Sequence, residues 1–315
     1  MQKRKVKMPE VLGVQREPSG VLIVNKHGGV TSHDIVNKIR RLYSTKRVGH
    51  TGTLDPMATG VLVVLVGRAA KAAEYLVCDT KEYRATLRLG ITTDTEDVTG
   101  NILSQSENIP ISDEVERVCG EFVGKIKQIP PMYSALKVGG KKLCDLARQG
   151  EVVEREAREI EIFSLECAPT ANEAEYVIDV KCSSGTYIRT LCADIGARLG
   201  CGGAMATLER RSAGGFDIEN AVTLAEIEAM SEDERAGLLM PTESLFADIE
   251  AVSLPAFYEK LSRNGCEIYQ KKIKTSHAVG SKVRMCDAVG NFYALGEVRE
   301  YPEGSAIKAV KLFDI

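Results

Sequence analysis

Two stretches of the 315-residue chain gather side chains that could do chemistry. The first, Gly49 to Gly60, reads GHTGTLDPMATG. Its glycines open backbone conformations closed to other residues, and a proline directly follows an acid. Such a loop can hold Asp55 as a rigidly posed carboxylate, a nucleophile or a base. It can also be a plain surface turn, since Asp-Pro initiates turns. The second stretch, Cys182 to Leu191, reads CSSGTYIRTL. A helix is expected to open at Gly185 and Thr186, presenting backbone N–H groups. Arg189 then falls near its first turn, where a cation opposes the helix dipole. That position calls for an anionic partner, with Asp55 a candidate, unless the arginine simply faces solvent.

Other chemistries find no support. A phosphate-binding G-x-x-x-x-G-K-[ST] loop does not occur. The nine cysteines form no C-x-x-C, and the four histidines form no i, i+4 pair. Neither a metal nor a disulfide framework is expected. No apolar run reaches the roughly 18 residues of a membrane span, and no apolar core follows the basic start MQKRKVK. A cytoplasmic protein with reduced thiols is the expectation.

Several elements would position these stretches. Val21 to Lys26 reads as a strand, and Thr31 with Asp34 as a capping box before a helix. The run Val61 to Val66 is a buried-type strand, and Ala69 to Leu76 a helix. Lys81 to Leu89 alternates polar and apolar residues, the pattern of a half-buried strand. Further on, the pattern predicts a capped helix over Ser112 to Phe122 and a short helix over Lys141 to Gln149. Strands are expected at 152–167, 174–182 and 205–211, with helices from Gly185 to Leu199 and Thr223 to Met230. The mixture lacks strict βαβ alternation, which points to an α+β domain around a largely antiparallel sheet. Composition shifts near residue 245, and the last 70 residues read as a small all-β module. The charge is unevenly spread. Residues 1–75 hold 13 Lys and Arg against 5 acids, and residues 76–245 hold 18 against 30. A basic end on an acidic body can offer phosphates a local binding face.

Six blocks then stand in order between Gly20 and Phe216: GVLIVNKHGGVTSHDIV, KRVGHTGTLDPMATGVLVV, KEYRATLRLGITTDTEDVTG, QIPPMYSALKVGGKKLCDLARQG, CSSGTYIRTLCADIG and TLERRSAGGF. Together they resemble the TruB family of tRNA pseudouridine synthases. The resemblance implies an α+β catalytic domain of pseudouridine-synthase type over residues 1–245, with a mobile thumb at 131–149. It also implies a PUA-like RNA-binding domain over 246–315, on weaker grounds. The implied reaction turns the T-loop uridine of tRNA (uridine-55) into pseudouridine, without cofactor or metal. Asp55 matches the family's catalytic aspartate, and Tyr83 the tyrosine that packs on the flipped base and serves as general base. Arg189 matches the arginine paired with the aspartate. His50 matches the residue that fills the space left by the flipped base, and Lys26, Tyr187 and Leu208 line the uracil pocket. Lys137, Lys141 and Lys142 of the thumb would grip the RNA backbone. The implied partner is tRNA, through its T-arm, and the implied state a monomer. His27 departs from the pattern, standing where many relatives carry proline.

Overall fold

The computed structural model describes residues 17–76 and 80–313. The basic start Lys3–Lys7 and Cys78 therefore lie outside the described residues. One large sheet dominates, running in the order Val222–Thr223, Gly20–Lys26, Thr59–Val66, Gly203–Ala213, Thr80–Leu89, Glu175–Ser183, Arg158–Pro169, Gly124–Gln128. Two neighbours along it are parallel, Gly20–Lys26 with Val222–Thr223 and Thr59–Val66 with Gly203–Ala213; the others are antiparallel. This is the α+β, largely antiparallel architecture.

Sequence dictates which strands lie deepest. Gly20–Lys26 and Thr59–Val66 are apolar on both faces. Leu22, Val24, Leu62 and Val64 enter the main core, while Val21, Ile23, Val61, Val63 and Leu65 enter a second core behind the sheet. Thr80–Leu89 alternates instead. Tyr83, Ala85, Leu87 and Leu89 point inward, and its outward residues join a ladder of ion pairs, Arg84–Asp179, Lys181–Glu82 and Arg88–Glu175. Helices Ser32–Leu42, Ser112–Gly120 and Ile188–Arg198 bury their apolar sides on the inward face. Thr31 makes the expected capping box with Asp34.

Boundaries differ from the sequence pattern where local chemistry overrides it. The helix carrying Arg189 begins at Ile188, not Gly185, because Gly185 sits at φ +89° in a turn. The stretch expected as a helix from Ala69 is a 3-10 turn, Gly67–Ala72. Lys137–Val138 pairs with Lys141–Lys142 as a hairpin, and only Leu143–Arg148 is helical there. Residues 152–157 lie outside the strand, which starts at Arg158.

The C-terminal residues form a five-stranded sheet, Ala251–Ser253, Lys282–Cys286, Phe292–Tyr301, Gly304–Leu312, Ile268–Tyr269. Helices Ala256–Arg263 and Gln270–Ile273 accompany it, so this part is not purely β. It packs against the large sheet's domain where Phe246, Phe292 and Phe313, with ring centroids 5.4 to 5.8 Å apart, meet Ala72, Tyr75, Leu76 and Leu245. Among the described residues, no helix is long and apolar enough to cross a membrane.

Candidate active site

Asp55 and Arg189 meet in a two-pronged ion pair. Arg189 Nε lies 2.9 Å from Asp55 Oδ2 and Nη2 3.3 Å from Oδ1. The arginine side chain is 5% exposed and the aspartate 33%, so the cation is sheathed while the carboxylate faces the opening. Burial of the guanidinium is tolerable because its other donors are used. Nη1 donates to Thr95 O at 3.1 Å and Nη2 to Tyr133 O at 2.9 Å.

The loop carrying Asp55 is held almost entirely through its main chain. Ser32 Oγ accepts from Leu54 N at 2.8 Å and donates to Leu54 O at 3.1 Å. Lys26, fully buried, points its ammonium at three carbonyls: Ala58 O at 2.5 Å, His27 O at 3.0 Å and Pro56 O at 3.1 Å. Burial pulls its pKa down to about 8 against the opposing pull of Asp55. On the other side Arg210 donates to Val61 O at 2.7 Å, Gly52 O at 3.0 Å and Thr53 O at 3.4 Å. Gly60 makes this approach possible: at φ +98°, a Cβ there would stand 2.2 Å from Arg210 O.

Tyr83 lies on the strand Thr80–Leu89, opposite Arg210 on one side and Val180 on the other. Burial pushes its phenol up, the Arg210 guanidinium beside it acts the other way, and Asp55 adds to the rise. Tyr187 precedes the Arg189 helix, and burial raises its phenol too. Leu208 belongs to the core beside these groups and pairs in register with Ala85. His50 ends the short strand Val48–His50; burial lowers its pKa, with Arg210 acting in the same sense. Asp55, Arg189, Lys26, Tyr83, Tyr187, Leu208 and His50 therefore gather around one loop. Lys137, Lys141 and Lys142 do not join them; they stand exposed on the hairpin.

The basic stretch flanking the loop is largely spoken for within the protein. Lys38 pairs with Glu228, Arg47 with Glu17, and Arg40 donates to Asn37 and to Val48 O. Two side chains that hold the loop escaped sequence reasoning: Ser32 and Arg210. Arg210 left a signal. In LERRSA it keeps the inward phase set by Leu208, an arginine at the buried position of a strand.

The mixed sheet thus brings a carboxylate–guanidinium pair beside a buried tyrosine. The fold superposes on the solved Cbf5-Nop10-Gar1 complex with a TM-score of 0.69 and 24% identity, covering 93% of this chain and 84% of that one. The family model for the TruB pseudouridylate synthase N-terminal domain matches residues 40–188, and the tRNA pseudouridylate synthase B C-terminal domain model matches 189–247. The tRNA pseudouridine synthase B of Alkaliphilus oremlandii is 43% identical over 84% of this chain and 88% of its own length. That of Francisella tularensis subsp. tularensis is 40% identical over 94% of this chain and 95% of its own. The chain belongs to the TruB family of pseudouridylate synthases, and so to the isomerases.

Proposed function

We propose that this protein isomerises the T-loop uridine of tRNA (uridine-55) to pseudouridine, with Asp55 as the catalytic carboxylate. The observation carrying this reading is the two-pronged Asp55–Arg189 pair at the mouth of a main-chain-anchored loop. The N1–C1′ bond breaks, the uracil turns while held, and a C5–C1′ bond forms. The proton leaves C5, and N1 gains one. A uridine inside a folded loop must first be flipped out to reach Asp55. Arg189 keeps Asp55 aimed, since a bidentate guanidinium fixes both distance and plane. Tyr83 packs on the flipped base and takes the C5 proton. The isomerisation exchanges no electrons and no group with a second molecule, so the reaction calls for no cofactor.

Within this reading, residues up to 245 carry the chemistry and residues 246–315 form a PUA-like domain that adds RNA contacts. The exposed hairpin lysines of the thumb, 131–149, meet the backbone of the T-arm. His50, Tyr187 and Leu208 surround the displaced base. Lys26 serves the pocket indirectly, because its ammonium is turned toward loop carbonyls. The protein acts as a cytoplasmic monomer. The test is incubation with an unmodified tRNA transcript and mapping of pseudouridine, beside Asp55→Asn. The variant is expected to form no product while binding tRNA within about tenfold of the original, about 1.4 kcal/mol. Retained turnover in the variant would remove Asp55 from the mechanism.

A further inference from the structure

The helix that carries Arg189 starts at Ile188 with no side-chain cap of its own at Tyr187. A residue from the far edge of the sheet instead grips the main chain of Tyr187 itself. Gln128, 2% exposed, ends the strand Gly124–Gln128. Its Oε1 accepts from Tyr187 N at 2.8 Å and its Nε2 donates to Tyr187 O at 3.1 Å. The two bonds close a ring like one rung of a β-ladder, grasping both polar groups of a single residue. Tyr187 is two positions before Arg189, so this rung fixes the start of the helix. It also ties that start to the root of the thumb. Just past Gln128, Pro130 O accepts from Arg155 at 3.0 Å and Tyr133 O from Arg189 itself at 2.9 Å.

We infer that Gln128 is a positioning residue for the reaction: by gripping the Tyr187 main chain it sets where Arg189, and through it Asp55, stands relative to the root of the thumb. The inference rests on the reading of Asp55 and Arg189 given above. A primary amide suits the task because it offers one donor and one acceptor side by side without charge. Methionine keeps the length and offers neither. Glutamate keeps the shape, but when ionised it sets a second acceptor against Tyr187 O and a rival carboxylate near Arg189. When protonated it recovers one donor and one acceptor.

The experiment measures tRNA affinity and single-turnover pseudouridine formation, well below the melting temperature, for Gln128→Met, Gln128→Glu and Arg189→Lys. The double variant Gln128→Met with Arg189→Lys completes the set. A displacement near 1 Å at the pair costs on the order of 100-fold, so Gln128→Met is expected to slow the chemical step about 30-fold or more. Affinity should stay within about threefold, or about 0.7 kcal/mol. Because Gln128 acts through Arg189, the double variant should be slower than Arg189→Lys alone by less than about threefold, the non-additivity expected of coupled residues. Gln128→Glu should regain rate, relative to the wild-type chain at the same pH, as the solution is acidified. A stability role alone would not produce that recovery. The inference is overturned by wild-type rates in both Gln128 variants, by a loss confined to affinity, by effects that multiply in the double variant, or by Gln128 variants that fail to fold even when acidified. Absence of product with the wild-type chain would instead overturn the assignment of the reaction.

Discussion

Replacing Gly60 by alanine tests whether the Asp55 loop is held by contact with Arg210. At φ +98° a side chain is strained in any surroundings, at about 1–2 kcal/mol. The new methyl would also sit 2.2 Å from Arg210 O and 2.8 Å from Arg210 N. Both are main-chain atoms of the paired strand, which cannot swing away like the end of a flexible side chain. Reaching ordinary contact requires the strands Thr59–Val66 and Gly203–Ala213 to part by about 1 Å, an overpacking cost of about 1–3 kcal/mol. The expected total is about 2–5 kcal/mol, or a melting temperature lower by about 10 °C for a chain of this size. The same movement draws Arg210 away from Gly52 O and Thr53 O, so turnover should fall about 100-fold in the molecules that remain folded. Gly29→Ala is the control. Its φ is +85°, yet nothing lies within 4 Å of the added methyl, so only the backbone strain applies. Thermal denaturation and single-turnover rates on tRNA, measured for both variants, separate strain from collision. Equal stability and equal rates in the two would refute the reasoning.

Three further outcomes are expected. Arg189→Lys should slow turnover about 100-fold with tRNA affinity nearly unchanged, since an ammonium cannot make the two-pronged contact with Asp55; near-normal rates would mean that the pair is not geometrically demanding. Burial, with Glu96 nearby, pushes the Asp194 carboxyl up from 3.8 to about 6, so the folded state holds a proton that the unfolded chain has released across that interval. Stability contributed by this group therefore falls as pH rises from about 4 to about 6 and stays low above, and Asp194→Asn should raise the melting temperature at pH 8 more than at pH 4. Truncation after residue 249 should lower melting temperature and promote aggregation by uncovering Phe246 and its neighbours, while the monomeric fraction still modifies a T-arm fragment; unchanged melting would deny the aromatic contact any part in stability.

The elements legible in the sequence were those whose patterns are local. Alternation marked Lys81 to Leu89, within the observed Thr80–Leu89, and the inward place of Tyr83, and the Thr31–Asp34 box marked the start of its helix. Asp55 and Arg189 were visible because each sits in an unusual setting, a glycine-rich loop and the first turn of a helix. What remained hidden is held by contacts far apart in the chain. Ser32 bonds Leu54 across 22 positions, Gln128 bonds Tyr187 across 59, and Arg210 reaches Gly52 across 158. None of these separations leaves a periodic trace. A basic side chain is not by itself a free one: the fold spends Arg284 on Glu243 and Ile249 O.

The anchoring of the Asp55 loop by its carbonyls bears on how such a protein can change over generations. Every amino acid carries the same carbonyl, so Lys26 and Arg210 do not read which side chains the loop displays. Thr53 or Met57 can be exchanged without loosening either anchor, whereas the two cations and Gly60 cannot. The outer surface of the loop is thereby free to drift toward new RNA contours, while the position of its carboxylate is inherited from the strands that carry the two anchors.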